Sequence, residues 1–117
     1  MFTCITLLAA LASVASAAVH MVDVGESGQR FTPETLQNVR EGDTIVFHLY
    51  PNHNVIEGDF DEPCRPDDEG FYSGEYSGTD NGKKRFVVNV TTDDPMYWYC
   101  SVDKHCESGM VGGANLP

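Results

Sequence analysis

The chain has 117 residues and a mass of 12.9 kDa, which is room for one domain and excludes a second independent core. Its 7 Lys and Arg stand against 18 Asp and Glu, a formal net charge of −11, and so acidic a chain is a poor partner for a nucleic-acid backbone. None of these charges falls in the first 17 residues, 13 of which are apolar, so the acidity belongs to residues 18–117.

Residues 4–14 are a short apolar run, and Ala15-Ser16-Ala17 supplies the small residues that signal peptidase requires at its cleavage point. Residues 1–17 therefore read as a secretory signal and residues 18–117 as the mature domain, starting at Ala18. The α-amino group is the positive charge of the leader. The run falls short of the roughly 20 apolar residues that cross a bilayer. No second apolar run and no hydrophobic tail for a lipid anchor appears later in the chain, so the expected product is secreted, without a membrane span.

In chain order, residues 19–24 predict a first strand and residues 36–39 a second. Residues 44–50, rich in β-branched and aromatic side chains, come after the turn signal Glu41-Gly42-Asp43 and predict a central strand. Residues 53–56 predict a short one. Residues 57–84 carry five glycines and two prolines and predict mostly loop. Residues 85–90 put Phe86, Val88 and Val90 on one face and Arg85, Val87 and Asn89 on the other, the period of a half-buried strand. Residues 96–100 are too aromatic and too short for a helix, and a last strand is expected around Met110 and Val111. No apolar helical period persists. Short strands with frequent turns over about 100 residues predict an all-β sandwich with Greek-key connections.

Several residues read plainly. The acidic group Glu57, Asp59, Asp61, Glu62, Asp67, Asp68 and Glu69 lacks the alternation, the turn glycine and the terminal bidentate Glu of a calcium loop, and reads as a solvated face. His20 would need cleavage after Val19 to become an N-terminal copper ligand, and reads as a strand-start residue. His48, out of phase with Ile45, Phe47 and Leu49, reads as a surface residue. Met21, Met96 and Trp98 are expected in the core. Asn89-Val90-Thr91 fits the N-glycosylation pattern, with Asn89 facing outward by strand parity.

Three cysteines remain after the leader: Cys64, Cys100 and Cys106. An oxidising compartment pairs thiols, so an odd number leaves one free, bound to another chain or bound to a metal. Cys100, His105 and Met110 come after the aromatic strand at the spacing C-x4-H-x4-M, and His53 sits at a strand junction upstream. Two imidazoles, a thiolate and an axial thioether form the donor set that suits type 1 copper, since soft sulfur favours Cu(I) and imidazole accommodates Cu(II). Zinc is a lesser fit to the same two His and one Cys. Three cysteine pairings stay open on the residues alone.

The chain resembles the cupredoxins, specifically the phytocyanin-like branch and its small secreted fungal relatives. The matching pieces are Asn52-His53-Asn54-Val55, Phe60-Asp61-Glu62-Pro63-Cys64, Gly70-Phe71-Tyr72-Ser73-Gly74 and Tyr97-Trp98-Tyr99-Cys100 through His105-Cys106 to Gly109-Met110-Val111. The resemblance implies that His53, Cys100, His105 and Met110 bind one type 1 copper and that Cys64 pairs with Cys106. Many such relatives continue into a Ser-rich stalk and a lipid anchor, whereas this sequence ends at Pro117, a departure from that pattern; the expected location is extracellular, free or associated with the cell wall. The implied function is single-electron transfer by a secreted monomer, without enzymatic chemistry, to a redox partner that the acidic surface would favour as cationic. The alternative is a secreted copper-binding or cell-wall interaction protein with no carrier role.

Overall fold

The computed structural model describes residues 16–117. The leader reading falls almost entirely on residues 1–15, outside the described residues. The described residues contain nine strands and one 3-10 turn: β1 Val19–Val24, β2 Phe31–Thr32, β3 Thr35–Leu36, β4 Thr44–Leu49, β5 Ile56–Asp59, β6 Glu62–Pro66, the turn Tyr76–Thr79, β7 Phe86–Asn89, β8 Met96–Tyr99 and β9 Val111–Ala114. They form two sheets, ordered β2-β1-β4-β7 and β3-β9-β8-β5-β6. The all-β Greek-key sandwich is thus the fold, with one disulfide, Cys64–Cys106. β1 runs parallel to β4 and β3 parallel to β9; the remaining pairs are antiparallel.

Strand parity decides what is inside. Ile45, Phe47 and Leu49 of β4 and Val22 and Val24 of β1 are buried, as are Trp98 of β8, Cys100 just after β8 and Met110 just before β9. Phe47 meets Trp98 edge to face at 5.3 Å between ring centroids, an arrangement that aligns the positive ring edge with the negative face. Arg85, Val87 and Asn89 are exposed, as their alternation requires.

Five expectations need correction. Met21 is 55% exposed: it is out of phase with Val22 and Val24, and parity overrides its apolar character. Met96 is only partly buried, packed against the core edge. Strand pairing ends at Leu36 and does not continue to Val39, whose buried amide donates to Asn115 Oδ1 (3.0 Å). The stretch 57–84 is less loop than its composition implies, because β5 and β6 lie in it, while residues 53–55 precede the strand expected there. Polar, proline-bearing segments become strands here because β5 is recruited by the aromatic β8, and β6 is the sheet edge where proline is tolerated.

The end of the sandwich at the start of β4 is organised by Asp43, which is 5% exposed. Its carboxylate accepts from the Arg40 amide and from His20 Nε2, both at 2.9 Å. His20 is therefore engaged in a structural pair, in register with the inward-facing Val22 and Val24. His48, half-buried on the outer face, stands 3.5 Å from Asp23 Oδ1.

The disulfide and the Asp43 carboxylate each carry a measurable share of the stability. The disulfide spans 42 positions, and loop-closure entropy assigns a link of that span about 4 kcal/mol, a large share of the roughly 5–15 kcal/mol that holds a small domain. The Cys64→Ala/Cys106→Ala double variant should lose about that much by urea titration. The Asp43 carboxyl is lowered from 3.8 to about 2, first by the Arg40 amide, then by His20 and the Ala18 amide. A depressed carboxylate stabilises above its unfolded value, and that contribution is lost as pH falls through the folded one. Stability should thus drop between about pH 4 and pH 2, and Asp43→Asn should flatten that part of the urea-midpoint profile.

Candidate metal centre

The far end of the same sandwich gathers the donors. β8 pairs on one side with β5, Ile56 opposite Tyr99, and on the other with β9, Tyr99 opposite Val111. The residue after Tyr99, Cys100, is therefore flanked by the segment that precedes Ile56 and the one that precedes Val111. Those segments carry His53 and Met110. The Cys100 amide donates to the Met110 carbonyl (3.2 Å), and the Met110 amide donates to the His105 carbonyl (2.9 Å).

The side chains of His53, Cys100 and His105 converge. Cys100 Sγ is 3.5 Å from His105 Nδ1 and 4.0 Å from His53 Nδ1, and the three donor atoms lie within 4.8 Å of one another. Among the described residues this is the one group of three or more His, Cys, Asp or Glu that could share an ion. Cys100 is fully buried, His53 is 8% exposed, and Met110 is fully buried; His105 is half-buried. The acidic residues of 57–69 form no such group, and Asn89 is exposed on β7.

The surroundings disfavour charge on Cys100 and His53. Burial pushes the Cys100 thiol up, against lowering by backbone contacts with Asn54 and Val102. Burial also lowers His53, and His105 beside it adds to that effect. Two ring nitrogens and a thiol face one point, and one S–H proton can serve only one of the rings. Donors held about 2.0 to 2.3 Å from a shared ion lie roughly 3.5 Å apart, which the two sulfur–nitrogen separations approach. A soft sulfur with two imidazoles fits copper in that position.

Other residues hold this arrangement, and motif spacing does not reveal them. Asn54, 1% exposed, accepts from the Ser101 amide (2.8 Å) and donates to Ser101 Oγ (2.9 Å), clamping the His53 loop to the Cys100 loop. The signal for it in sequence is slight: a polar residue between His53 and a buried Val55. The Val55 amide donates to Ser73 Oγ (3.0 Å), which anchors the loop from its other side. Gly25, at φ +90°, faces the His53 ring so closely that a Cβ would overlap it, and the left-handed backbone there also favours glycine. Cys106, next to His105, is pinned to β6 by the disulfide.

No protein-family model matches the chain. It is 41% identical over 110 residues to "Probable GPI-anchored cupredoxin-1" of Arthroderma benhamiae, covering 92% of this chain and 56% of that one. It is 39% identical over 111 residues to an "Extracellular serine-rich protein" of the same fungus, covering 92% of this chain and 43% of that one. The chain thus spans about half the length of the curated relatives it matches. Among solved structures, spinach plantacyanin superposes with a TM-score of 0.57 at 18% identity, over 85% of this chain and 99% of that one. With 41% identity to a curated cupredoxin over 110 residues, a two-sheet sandwich and a His-Cys-His group at one end, the chain is a cupredoxin-like protein whose fold matches that of spinach plantacyanin.

Proposed function

We propose that this is a secreted type 1 copper protein that carries single electrons, its metal held by His53, Cys100 and His105 with Met110 as the axial thioether. The observation that carries the reading is the convergence of two imidazole nitrogens on a buried cysteine sulfur. Bound there, copper would supply a one-electron Cu(I)/Cu(II) couple.

The chain's own residues supply the rest. Cys100, His53 and Met110 are shielded from water, which limits the solvent rearrangement that accompanies a change of charge. The Asn54–Ser101 clamp and the disulfide beside His105 hold the donor loops from both sides, which would limit their movement if a bound copper changed oxidation state. His105 is the ligand that reaches the surface, and its ring edge is the natural point of exchange with a partner. The net charge of −11 steers that partner towards the cationic class. We assign no enzymatic step to the site. The extracellular and GPI-anchored names of the relatives support secretion, as does the leader pattern.

The test is a Cu(II) titration of the purified secreted protein monitored by visible absorption and EPR, with thiols counted on the denatured apo form. The expected result is an intense blue band, narrow copper hyperfine splitting and one free thiol. A colourless protein that takes up no copper overturns the reading. Cys100→Ser should abolish the colour while the near-ultraviolet signature of a folded sandwich persists; unfolding instead would assign Cys100 a structural role. Met110→Gln should keep the colour and shift the reduction potential, because the axial ligand tunes more than it binds. Outright loss of copper from that variant would remove Met110 from the axial position.

A further inference from the structure

The end of the sandwich opposite the metal centre holds a buried carboxylate with no permanent cation at its side. Besides Arg40 and His20, Asp43 accepts from a third donor: Oδ1 is 2.9 Å from the backbone nitrogen of Ala18. Among the described residues, no Lys or Arg side chain forms an ion pair with it. His20 offers a countercharge only when protonated, so the ionised carboxylate rests on hydrogen bonds and has no permanent charge partner. Arg40 meets Asp43 through its backbone amide, and nearby Asp93 accepts from the Glu41 amide at 2.7 Å.

Of the three donors, Ala18 N alone has a charge set by the covalent state of the chain. It is a neutral amide while Ala17 precedes it and an ammonium once the 17–18 peptide bond is hydrolysed. Ala15-Ser16-Ala17 is the pattern that signal peptidase cuts, and residues 16–18 are exposed. We infer that Asp43 is the receptor for the N-terminal ammonium released by cleavage between Ala17 and Ala18, so that maturation itself locks β1 into the sheet. The inference rests on the proposal that the protein is secreted. Hydrolysis adds water across the bond, leaving a carboxylate on Ala17 and an ammonium on Ala18.

The geometry is specific to that cut. The Ala18 carbonyl accepts from the Thr44 amide at 3.0 Å, so residue 18 is already in register with β4, and its nitrogen needs no movement to meet Asp43. A charge-assisted hydrogen bond is roughly twice as strong as a neutral one, and terminal-amine capture is an established recognition mode. A terminus at Val19 would lack the donor, and an extension beyond Ala18 would leave only an amide.

The experiment secretes the full chain from a yeast host and reads the product's N-terminus by mass spectrometry. The same is done for a variant with Gly-Ser inserted between Ala17 and Ala18, which moves the ammonium two residues away. The expected outcome is a native terminus at Ala18 and a melting temperature about 5 °C lower for the extended form, with no such difference when both carry Asp43→Asn. Where Asp43→Asn does not fold, carbamylation by cyanate replaces it: the native α-amine should react several-fold more slowly than that of the extended form. A native terminus anywhere but Ala18 overturns the processing assignment and leaves the copper site unaffected. Equal melting temperatures for the two forms, with the native terminus at Ala18, overturn the ion pair.

Discussion

The end of the molecule that gathers His53, Cys100 and His105 depends on the two antiparallel ladders of β8. A strand of four residues, Met96–Tyr99, lies between β5 and β9, and its last pairings set Ile56 and Val111 on either side of Tyr99. Once those registers are fixed, the residues beyond them have little choice of place. Cys100 leaves the strand between the segments that carry His53 and Met110, and the turn from Cys100 to Met110 closes on itself through backbone bonds that include His105. A shift of one residue in either ladder would turn the flanking side chains to the opposite face and disperse the donors.

Rigidity at this end comes from connections between loops more than from the loops themselves. Asn54 commits its amide to Ser101, one residue from each of two donors. The disulfide does the same for His105 by tying its neighbour to β6. Gly25 allows the β1–β2 connection to pass against the His53 ring. Each link crosses from one part of the sandwich to another, so the geometry of the site and the stability of the fold are coupled.

The opposite end solves a different electrostatic problem. Six residues of β4, about 20 Å of extended chain, separate Asp43 from the metal side. There the burden is a buried anion instead of a cluster of neutral donors, and three hydrogen bonds meet it. The parallel pairing of β1 with β4 brings the start of the described chain to that carboxylate. A countercharge at Ala18 would relieve it without any side chain being added to the core.

The sequence by itself determined the donor types, their spacing after the aromatic strand, and those strands whose alternation is unbroken. Thr44–Leu49 and Phe86–Asn89 were legible because each buries every second side chain, a period the local order of residues carries in full. Contacts between distant segments make β5 and β6 form in a polar, glycine-rich stretch, and among the three cysteine pairings that the residues alone left open they select Cys64 with Cys106, as the resemblance implied. The tertiary structure also requires a glycine at position 25 and lets Asn54 bridge two loops. Each of these is settled by a partner distant in the chain. Strand pairing, disulfide closure and buried polar satisfaction are contacts between segments, so their energy is absent from any local window of residues.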